Sequence, residues 1–175
     1  MSYLWQYDSP LGRITLAANG GELTGLWFAE QKYFGSTLTE KAEEKYIPVF
    51  AQSEKWLNIY FGGKDPGFTP PVRLEGTAFR RQVWEILLSI PYGETMTYGE
   101  IAGIIAQNSN LPRMAARAVG AAAGRNPISL VVPCHRIVGA GGSLTGYAGG
   151  LDRKEKLLAL EKGKTNSEKK EGKFL

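Results

Sequence analysis

Residues 133–137, PCHRI, contain the only cysteine of the chain, Cys134, followed directly by its only histidine, His135. A cysteine attacks electrophiles as its thiolate, and an ordinary thiol with a pKa of about 8.5 is mostly protonated at neutral pH. A histidine can remove that proton, and a carboxylate can orient the imidazole ring. Glu155 and Glu161 are the candidates for this carboxylate. The dipeptide by itself also permits a second interpretation, in which a buried, inert thiol precedes a structural histidine.

The composition is that of a globular protein with an ordinary core and a free thiol. The 175 residues are enough for one medium domain or two small ones, and 43% of them are hydrophobic. No apolar run approaches the roughly 20 residues that cross a bilayer, and the first residues do not resemble a signal peptide. A single cysteine can form neither an intramolecular disulfide nor a zinc site of several thiolates. We therefore predict a cytoplasmic protein without a membrane segment.

The positive charge lies in the second half of the chain. The formal net charge is +4, but residues 1–76 hold 7 Lys and Arg against 9 Asp and Glu, a net charge of −2. Residues 77–161 hold 9 against 6, and residues 162–175 hold 5 against 2, so each segment has a net charge of +3. A basic second half is compatible with a nucleic-acid partner, although charge alone is weak support. Because residues 162–175 offer almost nothing to bury, we predict a basic, flexible tail.

The first half of the chain has the pattern of a small sheet followed by a helix. Residues 3–28 contain β-rich runs separated by turn signals such as Ser9-Pro10 and Asn19-Gly20-Gly21. Residues 36–61 contain an amphipathic helical stretch, followed by the Gly/Pro-rich loop GGKDPGFTPP and a candidate short strand, VRLEG. We place a domain boundary near Gly76.

The second half has a helical pattern. Thr77 is a candidate N-cap for a first helix, and Thr97 with Glu100 has the spacing of a capping box for a second. Pro112 is expected near the first turn of a third helix that ends near Gly124. Two short helices joined by a polar turn predict a helix-turn-helix. The run ISLVV has the pattern of a buried strand and leads to PCHRI, and a Gly-rich loop then leads to a last helix, LDRKEKLLALE.

One face of the third helix combines arginines with small residues, namely Arg113, Arg117, Gly120, Ala121 and Gly124. A helix that reads bases in the major groove presents Arg, Asn, Gln or Lys to their edges. Small residues instead let a helix backbone approach another surface closely, either a neighbouring helix or the minor groove of DNA. The helix taken alone favours packing inside the protein, and Arg117 taken alone is an ordinary solvated charge.

The segment NPISLVVPCHRIV, followed by TGYAGGLDRKEKLLALE, closely resembles the O6-alkylguanine-DNA alkyltransferases, or methylated-DNA–protein-cysteine methyltransferases. In that family a P-C-H-R-[IV] motif carries the cysteine that accepts the alkyl group. The helix-turn-helix MTYGEIA…ARAVGAAAGRNP, the Asn-Pro before the motif and the Y-x-G-G-L loop match in the same order. The resemblance is close over residues 77–161 and looser in the N-terminal half, through YDSPLGRITLAANGGELTGLWF.

The resemblance implies a two-domain α/β protein. Residues 1–76 are expected to form an α+β, ribonuclease-H-like domain with a small antiparallel sheet. Residues 77–161 are expected to form a mainly helical, winged-helix-like domain with a helix-turn-helix, followed by the tail at 162–175. The implied function is direct reversal of DNA damage, in which O6-alkylguanine, and also O4-alkylthymine, is flipped out of the duplex and dealkylated in a single turnover. We expect a monomer that binds double-stranded DNA through its minor groove and uses no cofactor.

The resemblance also assigns catalytic roles. Cys134 attacks the alkyl carbon, His135 takes the thiol proton through a water, and Glu161 orients His135. Asn126 holds the motif segment by hydrogen bonds. Tyr98 presses on the phosphate of the target nucleotide, and its hydroxyl protonates the leaving guanine.

Further roles concern DNA and the substrate pocket. Only Glu161 matches the family's spacing, which favours it over Glu155. Arg117 is the finger that fills the gap left by the flipped nucleotide. Tyr147 forms part of the guanine pocket, and the backbone at Ala148 donates toward O6. The remaining expected DNA contacts are Arg113, Thr97, Ala116, Gly120 and Ala121, and the remaining pocket residues are Ile137, Ser129 and Ala123.

Two departures from relatives limit what the resemblance implies. Ser129, Ala123 and Ala148 stand where some relatives have Pro, Met and Ser, so the range of alkyl groups that fit the pocket is not implied. Some relatives bind structural zinc in the N-terminal half through Cys and His, and neither residue occurs there in this sequence. We therefore predict no metal.

Three other functions compete with alkyl transfer. A non-reactive relative that only binds alkylated DNA lacks the cysteine, so Cys134 argues against it. A transcriptional regulator would read bases with the second helix of its helix-turn-helix. Here that is the third predicted helix, and its small residues are unsuited to this task. A cysteine hydrolase would use Cys134 and His135 as a direct dyad, which sequence neighbours form poorly.

Overall fold

The N-terminal half is built on a small four-stranded sheet. The computed structural model describes the backbone of residues 1–169 and the side chains of residues 1–163. The strands are β1 (Ser2–Ser9), β2 (Gly12–Asn19), β3 (Glu22–Phe28) and β4 (Ala42–Glu44), in the order β3-β2-β1-β4. The first three strands are joined by tight turns at the predicted turn signals, and they pair antiparallel, as the resemblance implied.

The fourth strand makes the sheet mixed, so the prediction of an antiparallel sheet was wrong at this edge. Strand β4 pairs parallel with β1, from Ser2↔Ala42 to Leu4↔Glu44. Its three residues are exposed, and such a short, charged edge strand has no hydrophobic pattern that sequence reasoning could detect. The candidate strand VRLEG also does not form, because Val72 makes only an isolated bridge with Leu23.

A single helix, α1 (Pro48–Phe61), packs its apolar side chains against the sheet. The helix begins at Pro48 rather than near residue 36, because the segment before it forms turns and the short strand β4. Proline fits the first turn of a helix, where its missing N–H would have no intrahelical partner. The predicted apolar residues of this helix are buried, namely Val49, Phe50, Trp56, Leu57 and Tyr60.

The C-terminal half contains α2 (Ala78–Leu88), α3 (Tyr98–Asn108), α4 (Ala116–Gly124) and α5 (Leu151–Lys169). Both predicted N-terminal caps are confirmed. The Thr77 hydroxyl accepts from the Arg80 amide at 3.2 Å. The Thr97 hydroxyl accepts from the Glu100 amide at 3.0 Å, and the Glu100 carboxylate accepts from the Thr97 amide at 2.8 Å.

Helix α4 begins at Ala116 and not near Pro112, so the expected start of the third helix was four residues too early. At the end of α3, Asn110 adopts a left-handed φ of 56°, and the Leu111 amide donates to the Ala106 carbonyl at 2.8 Å. This arrangement is the usual end of a helix and directs the following residues away from its axis. Residues 111–115 therefore form an exposed connection.

The sequence predicted a buried strand at ISLVV. The run is buried but forms a turn instead of a strand. Ile128 makes one isolated bridge with Leu26 of β3, and the chain then turns at Leu130, which has a φ of 71°. Beyond the turn, β6 (Ile137–Val138) pairs parallel with β5 (Met96–Thr97). Helix α5 starts at Leu151 as expected and continues to Lys169, past the predicted start of the flexible tail. The rest of that tail, residues 170–175, lies outside the described residues.

The two halves share one hydrophobic core. Buried residues of the sheet, of α1 and of the C-terminal helices form a continuous cluster, which extends to Cys134. In the part of the chain that the structure describes, no helix is both long and apolar enough to cross a membrane.

Candidate active site

Cys134 lines an open cavity that is formed mainly by the C-terminal half of the chain. It begins a short 3-10 turn, Cys134–Arg136, and only 7% of its surface is exposed. The cavity has a volume of about 1110 Å³. Eight other predicted site residues line it together with the cysteine, namely Tyr98, Ala116, Arg117, Gly120, Ala121, Ala123, Tyr147 and Ala148.

The turn before Cys134 is held by the side chain of Asn126. The amide nitrogen of Asn126 donates to the Val132 carbonyl at 2.8 Å, and its carbonyl oxygen accepts from the Ile128 amide at 2.9 Å. Leu130 lies inside this loop with its positive φ, a conformation that is unusual for a residue with a side chain. One buried asparagine therefore closes the turn that presents Cys134.

The second support of this turn is the edge of the N-terminal sheet. The Leu26 amide donates to the Pro127 carbonyl at 2.8 Å, and the Ser129 amide donates to the Leu26 carbonyl at 3.0 Å. The Ser129 hydroxyl also donates to the side-chain oxygen of Gln31 at 3.0 Å. The position of the cysteine thus depends on strand β3 of the other half.

His135 and Glu161 form a buried hydrogen-bonded pair behind the cysteine. The distance from His135 Nε2 to Glu161 Oε2 is 2.6 Å, and neither residue is appreciably exposed. Burial lowers the pKa of the His135 imidazole below its ordinary range, although the bond to Glu161 raises it in part. Among residues 1–163, no hydrogen-bond partner contacts Nδ1, the other ring nitrogen. Glu155, the alternative carboxylate, is exposed.

Glu161 accepts hydrogen bonds from four groups. Besides His135, they are the Tyr60 hydroxyl at 2.7 Å, the Gly93 amide at 2.9 Å and the Arg136 guanidinium at 2.9 and 3.1 Å. Burial acts to raise the pKa of Glu161, but the hydrogen bonds and charges of His135 and Arg136 outweigh it and lower the pKa from 4.5 to about 2. The carboxylate is therefore ionised and acts as an acceptor toward all its partners.

A buried lysine of helix α5, Lys154, lies near Cys134. Its ammonium donates to the carbonyls of Thr145 and Gly146 at 3.1 and 3.2 Å, and its side chain is fully buried. Burial raises the pKa of the Cys134 thiol, whereas the Asn126 amide and the Lys154 ammonium lower it in part. Lys154 thus supplies positive charge on the side where a thiolate would form.

The loop held by Lys154 also contacts Tyr98. The Thr145 hydroxyl donates to the Tyr98 hydroxyl at 3.0 Å, and the Lys154 ammonium lies 5.9 Å from the centre of the Tyr98 ring. Tyr147, two residues after Thr145, has a buried hydroxyl, and burial raises the pKa of this phenol well above 10. The 145–147 loop therefore sets the positions of both tyrosines that the sequence assigned to the substrate.

Four of the predicted DNA-binding and pocket residues do not line the cavity. Ser129 and Ile137 are fully buried beneath it. Thr97 caps α3, and Arg113 is exposed in the connection before α4, where it borders a second, shallower groove. Their expected roles in the pocket or on DNA thus have less geometric support than those of the cavity residues.

Three buried residues of the site were missed at the sequence level. Tyr60 was expected only to pack in the core, and neither Arg136 nor Lys154 was assigned a function. The only sequence signal for Arg136 is its place in the PCHRI motif. Nothing in the spacing of Tyr60 or Lys154 indicates their partners. Within the described residues, no group of three or more His, Cys, Asp or Glu side chains could hold a metal ion.

Comparisons with known proteins match both halves of the chain. A family model described as "6-O-methylguanine DNA methyltransferase, ribonuclease-like domain" matches residues 3–74. A second, described as "6-O-methylguanine DNA methyltransferase, DNA binding domain", matches residues 78–163. Together with the observed sheet and helices, these matches define a two-domain α/β protein with a DNA-binding domain.

Relatives and solved structures agree with the family models. The methylated-DNA–protein-cysteine methyltransferase of Mycobacterium tuberculosis is 47% identical over 160 residues, 90% of each chain. That of Haemophilus influenzae is 42% identical and covers 91% of this chain and 86% of its own. A crystal structure of M. tuberculosis OGT in complex with DNA has a TM-score of 0.79 and 46% identity, covering 92% of this chain and 93% of its own. The chain belongs to the methylated-DNA–protein-cysteine methyltransferase family, which confirms the resemblance found in the sequence.

Proposed function

We propose that this protein repairs alkylated DNA by transferring the alkyl group of O6-alkylguanine to Cys134. The observation that carries the proposal is the pairing of a cavity-lining thiol with a buried imidazole and carboxylate. Cys134 is the nucleophile, His135 is the base and Glu161 orients it. O4-alkylthymine presents a similar alkyl oxygen and is proposed as a second substrate.

The transfer begins with the proton of Cys134. It passes through a bridging water to His135 Nδ1, the ring nitrogen that Glu161 leaves free. The thiolate then attacks the alkyl carbon, so that an S–C bond forms as the C–O6 bond breaks and its electron pair remains on O6. The released guanine takes one proton from the Tyr98 hydroxyl, which regains one as His135 gives up its own. The products are guanine and S-alkylcysteine, and no step requires a cofactor.

The reaction is limited to one turnover because the thioether cannot return to a thiol by reversal of these steps. A carbon–sulfur bond lacks the leaving group that the alkylated guanine supplied. Each molecule is therefore consumed by one lesion.

The DNA-binding role is assigned to the α3–α4 pair, which we propose to be a helix-turn-helix. The small residues of α4, Gly120 and Ala121, line the cavity and let the helix backbone approach the minor groove. Arg117 is exposed on the same helix and fills the space of the extruded nucleotide. Extruding a base costs a few kcal/mol, which these contacts offset without reading sequence.

The proposed substrate pocket is the part of this cavity next to Cys134. Tyr147 and Tyr98 border it, and the backbone at Ala148 faces O6 of the guanine. Asn126 maintains the turn, while Ala123 leaves room beside the alkyl group. Arg113, Thr97 and Ala116 contact the DNA backbone, and Ser129 and Ile137 support the pocket from beneath.

The domain arrangement is part of the proposal. We propose an N-terminal ribonuclease-H-like domain over residues 1–76 and a winged-helix-like domain over residues 77–161, with a basic tail after it. The two family matches meet between residues 74 and 78, which supports a boundary there. A monomer in a reducing, cytoplasmic setting is proposed because the single thiol must stay free to react.

Peptide mass spectrometry tests the proposed reaction. The protein is incubated with a duplex containing one O6-methylguanine, and with an undamaged duplex as a control. We expect one methyl group on the peptide that contains Cys134, an equal loss of the lesion and no second turnover. The Cys134→Ser variant should bind the duplex and leave the lesion intact. An unmodified Cys134 with an intact lesion in the wild-type reaction would refute the proposal.

The same experiment separates the competing functions. A non-reactive DNA-binding relative would leave both the protein and the lesion unchanged. A regulator would bind chosen sequences irrespective of the lesion. A cysteine hydrolase would turn over repeatedly and recover its free thiol. It would also need a direct Cys134–His135 dyad, and among the described residues His135 Nε2 bonds to Glu161 and Tyr60 instead.

A further inference from the structure

Tyr60 reaches from the N-terminal half of the chain into the active site. It lies in the last turn of α1, is fully buried, and stacks on Trp56 with 5.2 Å between ring centres. Its hydroxyl is 2.7 Å from Glu161 Oε2 and 3.3 Å from His135 Nε2. The N-terminal half therefore contacts the pair of residues that receives the thiol proton.

The direction of these hydrogen bonds follows from the charge of Glu161. Because its pKa is lowered to about 2, the carboxylate is ionised and accepts a hydrogen bond from each partner. His135 Nε2 must then carry a hydrogen, which leaves Nδ1 as the unprotonated nitrogen of the neutral ring. Burial and the nearby Glu161 raise the pKa of Tyr60 well above 10, so its hydroxyl keeps its proton and donates a hydrogen bond to Oε2.

A carboxylate so close to an imidazole creates a difficulty for the reaction. Negative charge at 2.6 Å stabilises the imidazolium and so opposes the burial that lowers the pKa of His135. A protonated ring could not accept the proton of Cys134. Every other donor to the carboxylate reduces this effect, because it withdraws charge from the oxygens. Tyr60 donates to the same oxygen that His135 contacts, so it acts more directly than the Gly93 amide on the opposite oxygen.

We infer that Tyr60 is a positioning residue of the proton relay, which holds Glu161 Oε2, weakens its pull on His135 and so adds to the burial that keeps the imidazole neutral until Cys134 releases its proton. The inference rests on the proposed function, in which His135 is the base. It also assigns the N-terminal half a part in the chemistry, because α1 supplies this hydroxyl.

The second contact of Tyr60 acts in the opposite direction but is weaker. The Tyr60 oxygen lies 3.3 Å from Nε2 and could accept a share of its hydrogen, which would favour the imidazolium. That distance is beyond the usual range for an N–H···O bond, whereas 2.7 Å is ideal for an O–H···O bond. Bonds to charged groups are also the stronger ones. Loss of the hydroxyl should therefore raise the pKa of His135.

Other charged or titratable groups lie around the His135–Glu161 pair and remain in place when Tyr60 is changed. They are Arg136 in the same turn, Lys154 on α5, Cys134, and the phenols of Tyr92 and Tyr147. The Tyr92 ring contacts Tyr60 edge-on at 6.0 Å, and its buried hydroxyl has no hydrogen-bond partner among the described residues. Tyr92→Phe is therefore a matched control that removes a neighbouring hydroxyl without removing a bond to Glu161.

The test is a titration of the only histidine of the chain. Imidazole ¹⁵N resonances of the uniformly labelled, DNA-free protein report its tautomer and its pKa without ambiguity. We expect the Nε2–H tautomer in the wild type. In Tyr60→Phe the pKa should rise by about half a unit to one unit, because a bond to a charged group changes the pKa of that group by about one to two units and His135 feels only part of this change. Tyr92→Phe should leave the pKa within about 0.2 units.

The rate of methyl transfer from O6-methylguanine provides the second readout. Its acidic limb should move to higher pH in Tyr60→Phe by the same amount as the titration, with an unchanged rate well above that limb. An unchanged or lowered pKa in folded Tyr60→Phe, or an equal rise in Tyr92→Phe, would overturn the inference.

Two measurements separate this inference from folding and from the proposed function. If Tyr60→Phe does not fold, the wild-type protein must still show a slowly exchanging Tyr60 hydroxyl proton with a cross-peak to the Nε2 hydrogen, and its absence refutes the contact. If wild-type Cys134 is not methylated, the proposed function fails whatever the titration shows.

Discussion

Replacement of Glu161 by Gln should destabilise the protein in a way that depends on pH. The side chain is 1% exposed and neutralises the buried Arg136. Its pKa is lowered from 4.5 to about 2, a difference of about 2.5 units. At about 1.4 kcal/mol per unit, the ionised carboxylate contributes about 3 kcal/mol to the free energy of unfolding at pH 7. This agrees with the loss of about 3–5 kcal/mol expected when one partner of a buried ion pair is removed.

The sign of the pH dependence follows from the lowered pKa. The stabilisation is complete above the unfolded value of 4.5 and is lost as the pH falls toward the folded value of about 2. Two-state linkage gives a loss of about 2 kcal/mol in the wild type between pH 7 and pH 3. The glutamine does not titrate. The difference in the free energy of unfolding between wild type and Glu161→Gln should therefore be smaller at pH 3 than at pH 7 by that amount.

Urea unfolding followed by tryptophan fluorescence measures these differences at both pH values. Glu155→Gln is the matched control, because this glutamate lies on the same helix but is exposed, and its replacement should cost less than about 0.5 kcal/mol. A variant of Glu161 that is as stable as the control at pH 7 would refute the reasoning. The reasoning would also be refuted if the free energy of unfolding of Glu161→Gln differed from that of the wild type by the same amount at pH 7 and at pH 3.

Two further substitutions test the surface that meets DNA and the charge beside the thiol. Arg117→Ala should slow methyl transfer from duplex DNA by about tenfold or more, because the extruded base leaves an unfilled gap, and should change transfer from the free base by less than about twofold. Arg13→Ala, exposed on the N-terminal sheet, is its control in single-turnover assays. Lys154→Met should raise the pKa of the thiol and slow its reaction with iodoacetamide at pH 7. Lys156 is exposed two residues further along α5, so Lys156→Met should change neither.

Each of these expectations can fail on its own. Equal losses on duplex and free base would refute the finger role of Arg117. A thiol that reacts equally fast in Lys154→Met and Lys156→Met would show that the buried ammonium does not stabilise the thiolate. Both outcomes would leave Cys134 as the alkyl acceptor.

Local signals along the chain predicted much of the fold. The caps at Thr77 and Thr97 depend on residues three positions away, so their spacing alone indicated where α2 and α3 begin. The same local reasoning failed for ISLVV, whose apolar residues suit a buried strand as well as a buried turn. The turn forms because Asn126 binds both ends of it, and a strand pattern contains no information about that amide.

The catalytic pair could be predicted only through the ordered set of motifs, and its surroundings could not. Helical periodicity correctly placed Tyr60 on the inner face of α1, but it does not indicate what lies beyond the ring. Its partner Glu161 is 101 residues away in the chain. Lysine is seldom buried, so the sequence alone predicts that Lys154 is a surface charge. The structure shows that it is buried.

Glu161 connects the stability of this protein to its chemistry. Its hydrogen-bond donors come from α1, from the loop at Gly93 and from the turn that contains His135 and Arg136. A carboxylate needed only to orient an imidazole could do so with one bond. Four donors hold it ionised, join the two halves of the chain, and limit how strongly it attracts the proton on His135. In the proposed relay, the interface between the halves therefore takes part in the chemistry, and a change that loosens the interface should alter the pKa of His135 as well as the free energy of unfolding.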